Sequence, residues 1–441
     1  MNVEYKDVVE MIRKEDIQFI RLQFSDISGN IKNVEIPSQE LEKAFEKGIM
    51  FDGSSIEGFV RIEESDMYLK PDISTFAILP WTTNGSKSAR FICDVYKPDG
   101  TPFDGDPRYR LKLIVEKARK MGFEAFAGPE IEFFVLPRDE KGFPQPTLLD
   151  FGSYFDLLPL DEVESLRSEV AVALKSMGID VEASHHEVAP SQHEVDFRYG
   201  DLLKTADNTQ TVKLVLKTIA IKHNLHVTFM PKPFFGINGS GMHTHLSLFK
   251  NGENAFYDQD SSDGLSKTLH HFVGGILKYA KEITAITNPI VNSYKRLVPG
   301  YEAPVNIAWS KANRSALIRI PAARKNSTRI EYRSPDPSCN AYLAFAVIVG
   351  AGLEGIEKKI EPPLPIEENI YAMSEEKRAE FKIDSLPGSL KEALEEMKNS
   401  ELVKEILGDH IFKKFVELKR REWRDFSITV TDWEIRNYLR V

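Results

Sequence analysis

Residues 128–134, Gly-Pro-Glu-Ile-Glu-Phe-Phe, constrain the fold most strongly, because they place two carboxylates inside an otherwise apolar segment. Side chains alternate between the two faces of a strand, so Glu130 and Glu132 share one face while Ile131 and Phe133 occupy the other. Two neighbouring carboxylates that lose their water destabilise a fold unless a cation lies beside them. The segment therefore predicts either an ordinary amphipathic strand with its glutamates in water or one wall of a cation site.

The length of the chain, 441 residues, exceeds what one hydrophobic core usually supports and indicates more than one domain. Turn-forming residues at 97–102 suggest a boundary there. We expect a small α+β module over residues 1–103 and a second, larger domain over residues 104–441.

The composition is that of a soluble globular protein, with 42% hydrophobic and 28% charged residues. A net charge of -10 argues against nonspecific binding to nucleic acid. The two cysteines, Cys93 and Cys339, have no metal-ligand spacing and suggest a reducing compartment. No signal peptide is apparent, and the longest apolar run, residues 341–353, is too short to span a bilayer. We expect a cytoplasmic protein without a membrane or nucleic-acid partner.

In three further segments, polar or charged side chains also alternate with mostly apolar ones, so each predicted strand has one polar face. The polar faces carry His243, His245 and Ser247; Glu194, Asp196 and Arg198; and Arg329, Glu331 and Arg333. Residues 294–333 also hold nine Lys or Arg against two Glu, in an otherwise acidic chain. Arginines in folded structure usually meet phosphate or carboxylate, so this segment indicates an anion site.

The combination of many carboxylates with one imidazole suits Mg²⁺ or Mn²⁺ better than structural zinc. Glu187 adds a carboxylate seven residues before Glu194, whereas His185 and His186 are interpreted as structural. Two such ions beside arginines are typical of phosphoryl transfer. No phosphate-binding loop of the P-loop or Rossmann kind is present.

Several long motifs, in order along nearly the whole chain, resemble those of type I glutamine synthetases of the shorter bacterial or archaeal subgroup. The motifs are residues 52–55 (Asp-Gly-Ser-Ser), 128–134, 185–187 (His-His-Glu), 238–245 (Asn-Gly-Ser-Gly-Met-His-x-His), 295–304, 313–315 (Asn-Arg-Ser) and 329–333 (Arg-Ile-Glu-x-Arg). The resemblance implies a small β-grasp-like N-terminal domain, followed by a large catalytic domain with a curved antiparallel sheet backed by helices. It also implies ATP-dependent ligation of glutamate and ammonia to glutamine through γ-glutamyl phosphate.

The resemblance assigns a role to each matching residue of this chain. One metal would be held by Glu132, Glu187 and Glu194, and the other, which bridges the ATP phosphates, by Glu130, His243 and Glu331. Glutamate would be bound by Asn238, Gly239, Arg296 and Arg333, while Arg314 and Arg319 face the transferred phosphate. The nucleotide would contact Glu182, Tyr199, His245, Ser247 and Arg329. Asp52 would serve as the base for ammonium from a neighbouring subunit, and Glu302 would lie on a flap over the intermediate.

Assembly and regulation are also implied by the resemblance. The family forms dodecamers of two stacked hexameric rings, with active sites at subunit interfaces. Arg61 resembles a residue that helps glutamine inhibit the enzyme, and the surroundings of Tyr371 lack the pattern of the adenylylated subgroup.

Two alternatives remain at the level of sequence. A homologue could ligate glutamate to a polyamine or another amine, or a catalytically silent homologue could act as a sensor or structural ring. Asp52 followed by Gly-Ser-Ser favours ammonia, and the full set of presumed metal carboxylates speaks against a silent protein.

Overall fold

The computed structural model describes residues 4–56, 58, 66–381 and 383–441, with only the backbone described at Thr83 and Glu375. The N-terminal part of the chain forms a six-stranded sheet in the order β2-β1-β6-β4-β3, with β5 paired to β6. Its strands are β1 (Ile17–Ser25), β2 (Ile31–Pro37), β3 (Ile49–Asp52), β4 (Asp66–Pro71), β5 (Ala77–Thr83) and β6 (Ser86–Tyr96). Strands β1 and β6 are parallel, and helices α1 (Tyr5–Lys14) and α2 (Leu41–Lys47) contribute Val8 and Ala44 to the core of this part.

The second sheet has eleven strands in the order β17-β14-β15-β16-β12-β7-β9-β8, with β10 and β11 paired to β7 and β13 paired to β12. Its strands are β7 (Glu124–Pro137), β8 (Val181–His186), β9 (Gln192–Phe197), β10 (Gly200–Asp201), β11 (Leu225–Thr228), β12 (Thr244–Lys250), β13 (Glu253–Asn254), β14 (Asn306–Ser310), β15 (Ala316–Arg319), β16 (Ile330–Tyr332) and β17 (Asp384–Ser385). The pairing is antiparallel except between β14 and β15. The predicted α+β class, with a large antiparallel sheet backed by helices, is confirmed.

The same part of the chain forms the helices α3 (Pro107–Lys120), α4 (Glu164–Ser176), α5 (Leu202–Lys222), α6 (Lys267–Lys278), α7 (Ala280–Thr287), α8 (Ser293–Arg296), α9 (Ala341–Glu357), α10 (Glu375–Glu380), α11 (Leu390–Lys398), α12 (Glu401–Ile428) and α13 (Asp432–Tyr438). Among them, α3 and α5 pack against β7, α4 packs against β8 and α6 packs against β14, and these helices begin the helical layer on the apolar face of the sheet. Every residue of α9 from Ala341 to Gly355 is buried, which makes α9 the central helix of this layer. None of the helices in the described ranges combines the length and apolar character that crossing a bilayer requires.

A buried arginine joins the N-terminal sheet to the helical layer. Arg108, near the start of α3, forms two hydrogen bonds with Asp207 of α5 (2.9 and 2.8 Å). The same guanidinium reaches Asp94 (2.8 Å) and Asp72 (2.7 Å) of the N-terminal part. Tyr342 of α9 donates to Asp207 at 2.7 Å. One buried cation therefore contacts three carboxylates from different parts of the chain, of which Asp94 also pairs with Lys112, and it joins α3 and α5 to the N-terminal part.

Candidate active site

Strand β7 forms the central wall of the site, and its side chains alternate as the sequence predicts. Ile131 and Phe133 are fully buried in the main hydrophobic core. On the opposite face, Glu130 lies across from Asp196 and Glu132 lies across from Glu194 in the antiparallel register with β9. Pairing of β7 with β9 and β12 therefore gathers carboxylates and imidazoles from three strands onto one surface.

The first cluster brings together Glu130, His243 and Glu331, the three residues predicted for the nucleotide-side metal. One potential ligand atom from each lies within 4.8 Å of the others. His243 Nδ1 is 3.2 Å from Glu130 and 3.5 Å from Glu331. Although His243 precedes β12, its carbonyl accepts the Glu130 N–H at 2.8 Å, which aligns it with the sheet.

A relay of hydrogen bonds orients Glu130 further. Arg329 Nε donates to His245 Nδ1 (3.2 Å), so His245 Nε2 carries the hydrogen that faces Glu130 at 2.7 Å. Burial alone would raise the pKa of Glu130, but the hydrogen bonds from His243 and His245 outweigh burial and lower it. Glu130 is therefore held as a carboxylate.

The second cluster contains Glu187 and Glu194 together with His185, again within 4.8 Å of one another. His185 Nε2 lies 3.2 Å from Glu194. Glu132, the third predicted member of this set, accepts hydrogen bonds from the Gly241 N–H (2.8 Å) and from Gln192 Nε2 (3.0 Å).

The carboxyls of this second cluster have too little positive charge nearby to remain ionised at their usual pKa. Burial, with Asp196 and Glu130 next in effect, raises the pKa of Glu194 to about 10. Burial and the charges of Glu194 and Glu187 raise the pKa of Glu132 well above its usual range. Burial and Glu130 raise the pKa of Asp196 to about 7. A divalent cation would remove this repulsion, and the oxygen-rich donor set fits Mg²⁺ or Mn²⁺.

Arginines from the cationic segment border both clusters. Arg319 and Arg333 each donate to the Glu331 carboxylate. Arg296 is buried and donates to the Ser334 carbonyl at 2.7 Å. A side chain at Gly241 would place its Cβ 2.6 Å from Arg296 Nη2 and would force that guanidinium to move. Arg314 is exposed at the edge of the site.

A cavity of about 360 Å³ opens beside Glu130. Its walls include all five residues predicted to contact the nucleotide: Glu182, Tyr199, His245, Ser247 and Arg329. Asp196 lines the same cavity, and its Oδ1 is buried without a hydrogen-bond partner. The cavity and the first cluster thus share Glu130 as a common wall.

The remaining predicted residues lie at the margins of these clusters. Asn238 and Gly239 belong to the loop before β12, where Gln192 Nε2 donates to the Gly239 carbonyl at 3.0 Å. Glu302 is exposed. Burial is the main cause of the raised pKa of Glu187, and the negative charge of Glu302 raises this pKa further. Asp52 is exposed at the end of β3 and accepts the Ser54 N–H at 2.8 Å. Hydrogen bonding from the Ser54 hydroxyl, and then from this N–H, lowers the pKa of Asp52. Arg61 lies outside the described residues.

Sequence reasoning does not assign a role to three residues that the structure places within the clusters. His185, interpreted from the sequence as structural, faces Glu187 and Glu194. Asp196 lies on the loaded face of its strand but receives no role from the motifs. Gln192, fully buried, links Glu132 to the Gly239 loop, and no spacing pattern in the sequence signals such a link.

The site combines two clusters of potential cation ligands, a cavity of about 360 Å³ and several arginines. This combination is typical of enzymes that transfer phosphoryl groups with the help of divalent cations. Comparison with known proteins identifies the family within that class. The family model described as "Glutamine synthetase, catalytic domain" matches residues 104–438, and "Glutamine synthetase, beta-Grasp domain" matches residues 16–98. The chain belongs to the glutamine synthetase family.

Individual relatives agree with this assignment over nearly the full chain. Glutamine synthetase of Thermotoga maritima is 65% identical over 432 residues, covering 98% of both chains. Glutamine synthetase of Methanosarcina mazei is 56% identical over 434 residues, covering 98% of this chain and 97% of that protein. The solved structure "GmaS/ADP complex-Conformation 1" is 31% identical with a TM-score of 0.90, covering 99% of this chain and 100% of that one.

Family membership confirms the predicted enzyme class, a ligase of glutamine biosynthesis, and the predicted β-grasp-like N-terminal domain. The family is generally dependent on ATP and divalent metal, and its members are substrate-binding oligomeric enzymes.

Proposed function

We propose that this chain ligates glutamate and ammonia in two steps at the wall formed by Glu130 and Glu132. In the first step, an oxygen of the glutamate γ-carboxylate attacks the γ-phosphorus of ATP and ADP leaves. In the second step, ammonia attacks the acyl carbon of γ-glutamyl phosphate and phosphate leaves. The proposal rests mainly on one observation. The structure holds two clusters of potential cation ligands, one towards β12 and β16 and the other towards β8 and β9, and the cavity shares a residue, Glu130, with the first cluster.

The two clusters divide the substrates between them. Glu130, His243 and Glu331 would hold the cation beside the nucleotide, and Glu132, Glu187 and Glu194 would hold the cation beside glutamate and ammonia. Bound Mg²⁺ or Mn²⁺ supplies neutralisation of phosphate charge at the site. The five nucleotide-contact residues lining the cavity support ATP as the phosphoryl donor, as does the similarity to a protein solved with ADP.

The chain's own cations would bind glutamate and stabilise the transferred phosphoryl group. Arg296 and Arg333 would bind glutamate carboxylates together with Asn238 and Gly239. Arg314 and Arg319 would face the phosphoryl group, where charge develops in the transition state. Arg319 already contacts Glu331, so its guanidinium lies beside the nucleotide-side cluster.

Ammonium carries no lone pair and must lose a proton before it can attack. We propose that Asp52 accepts this proton in the active site of a neighbouring subunit, because it is an exposed carboxylate on the N-terminal sheet. Glu302 would cover the intermediate and exclude water, which would otherwise hydrolyse the acyl phosphate.

The finer points of organisation follow the same resemblance. We propose a domain boundary near residue 103, a cytoplasmic dodecamer of two stacked hexamers, and inhibition by glutamine involving Arg61. We also propose that Tyr371 is not adenylylated. Its hydroxyl donates to the Ala303 carbonyl at 2.9 Å, and its side chain is half-buried.

One assay tests the activity directly. Purified protein with ATP, glutamate and Mg²⁺ or Mn²⁺ should form glutamine and phosphate with ammonium, and little product with methylamine or putrescine. Turnover only with an amine would instead indicate an amine ligase, and no turnover with any of them would contradict the proposal.

A site variant sharpens the test. Glu331→Ala should abolish glutamine formation, because it removes a cation ligand and the partner of two arginines. Glu169→Ala is a suitable control, since Glu169 is an exposed residue that pairs with His223. Near-normal turnover of Glu331→Ala would refute its role.

A further inference from the structure

The flap, defined as residues 298–304, has no helix or strand of its own. Pro299 and Gly300 are exposed at its tip, and Glu302 is also exposed. Ala303 is buried and accepts a hydrogen bond from the Tyr371 hydroxyl at 2.9 Å. This contact anchors the C-terminal end of the flap, but the tip needs a second anchor if Glu302 is to keep one position.

Lys232 provides that second contact. Its ammonium lies 3.5 Å from the centre of the Tyr301 ring, within the range of a cation–π interaction. The lysine is buried, with 7% of its surface exposed, and burial together with the charge of Arg296 lowers its pKa. Interactions of this kind strengthen when the cation has lost its water.

The same lysine is rigidly placed by its own backbone. Its N–H donates to the Asn292 side chain at 2.7 Å, and Asn292 Nδ2 returns a hydrogen bond to the Lys232 carbonyl at 3.0 Å. Lys232 Nζ also donates to the Ile237 carbonyl, immediately before the predicted glutamate-binding residues Asn238 and Gly239. The Lys232 ammonium therefore contacts both the flap and residues 237–239, which we call the glutamate loop.

We propose that Lys232 is a positioning residue that holds the flap over the site by linking Tyr301 to the glutamate loop. The hydrogen bond to the glutamate loop holds the Lys232 ammonium in place, and the cation–π contact then holds the Tyr301 ring. Because Glu302 follows Tyr301 in the chain, this restrains the position of Glu302 as well. The consequence for water exclusion rests on the proposed function, whereas the contact itself does not.

Hydrogen–deuterium exchange of peptides covering residues 298–304 tests the contact in the intact, ligand-free oligomer. Lys232→Met keeps the length of the stem without the charge, and Tyr301→Leu removes the ring. Both variants should exchange roughly two- to tenfold faster in the flap than the wild type. Tyr301→Phe keeps the ring face and is the matched control, with exchange equal to the wild type. Tyr301 is partly exposed, so its variants test the proposal even if Lys232→Met fails to fold.

A second readout follows phosphate and glutamine in the same reaction. Lys232→Met and Tyr301→Leu should release more phosphate than glutamine, because water reaches the acyl phosphate, whereas the wild type and Tyr301→Phe should release equal amounts. Unchanged exchange in both disruptive variants would overturn the proposed contact. Faster exchange with equal phosphate and glutamine would overturn its role in excluding water. Absence of glutamine formation by the wild type would refute the proposed function, while the exchange comparison would still decide whether Lys232 holds the flap.

Discussion

Glu130 and Glu194 lie on the same face of two paired strands, β7 and β9, yet their surroundings shift their pKa values in opposite directions. His243 and His245 donate toward Glu130 and hold it ionised. Glu194 is surrounded by Asp196, Glu130 and Glu187, which with burial raise its pKa to about 10. The residue type is the same, so the difference comes entirely from the neighbours that the fold supplies.

The response of the protein to divalent metal should depend on Glu194. Removing metal with a chelator should lower the melting temperature of the wild type, because the buried carboxyls of the second cluster then have no cation and must take up protons instead, as the raised pKa of Glu194 indicates. Glu194→Gln resembles the protonated, neutral carboxyl, so its metal-free melting temperature should equal or exceed that of the wild type. Added Mg²⁺ or Mn²⁺ should stabilise the variant less, as measured by differential scanning calorimetry.

Glu169→Gln, at the exposed pair with His223, serves as the control and should respond to metal like the wild type. Equal metal-induced stabilisation of Glu194→Gln and the wild type would contradict a cation bound at the second cluster.

The crossing of α6 and α9 depends on two glycines that allow the helix backbones to approach closely. A Cβ at Gly355 would lie 2.1 Å from the His271 carbonyl oxygen, and a Cβ at Gly275 would lie 2.2 Å from the Ala351 carbonyl oxygen. The obstructing atoms belong to the backbone and cannot move aside as a flexible side chain could. The close approach of the backbones of α6 and α9 therefore depends on glycine at both positions.

Gly355→Ala should lower the free energy of unfolding by about 1–3 kcal/mol, because overpacking forces the two helices apart. Gly388→Ala is the matched control, since among the described residues the nearest atom to its Cβ is a Glu392 carboxylate oxygen at 3.5 Å, an ordinary van der Waals distance. Urea denaturation followed by circular dichroism measures both variants. Equal stability of the two would show that the crossing tolerates a methyl group.

For the molecule as a whole, Arg108 forms a buried ionic connection between the N-terminal part and the helical layer. Arg108→Met would leave the carboxylates of Asp72, Asp94 and Asp207 without their shared cation. We expect a loss of about 3–5 kcal/mol in the free energy of unfolding, as for a broken buried ion pair. Arg119→Met, at an exposed position on the same helix, should leave the stability nearly unchanged. A comparable result for both variants in urea denaturation would refute a stabilising role for the Arg108 cluster.

Sharing of the active site between subunits can be tested by mixing two inactive variants. Asp52→Asn removes the proposed base, and Glu331→Gln removes a cation ligand of the neighbouring catalytic surface. Reassembled mixed oligomers should regain activity at roughly a quarter of the sites by random assortment, because some interfaces then combine an intact Asp52 with an intact Glu331. Glutamine formation before and after reassembly is the measurement. Mixtures that stay inactive, despite mixed oligomers seen by native mass spectrometry, would contradict a shared site.

Much of the fold and of the candidate site follows from local patterns in the sequence. The alternation along β7 depends only on the two-residue period of a strand, so the sequence alone places Glu130 and Glu132 on the face opposite Ile131 and Phe133. The family motifs then group Glu130, His243 and Glu331, although Glu130 and Glu331 are about two hundred positions apart in the sequence. In the structure, one potential ligand atom of each residue lies within 4.8 Å of the others.

Other properties arise from contacts between distant segments and leave no local pattern. The position of His185 among carboxylates, the link from Gln192 to Glu132 and the approach of Lys232 to Tyr301 each require strands or loops to meet in three dimensions. The opposite pKa shifts of Glu130 and Glu194 have the same origin, because burial and neighbouring charge are properties of the packed molecule. Periodicity and motif order can reveal which residues carry the chemistry, whereas their charge states and mutual support depend on how the chain packs.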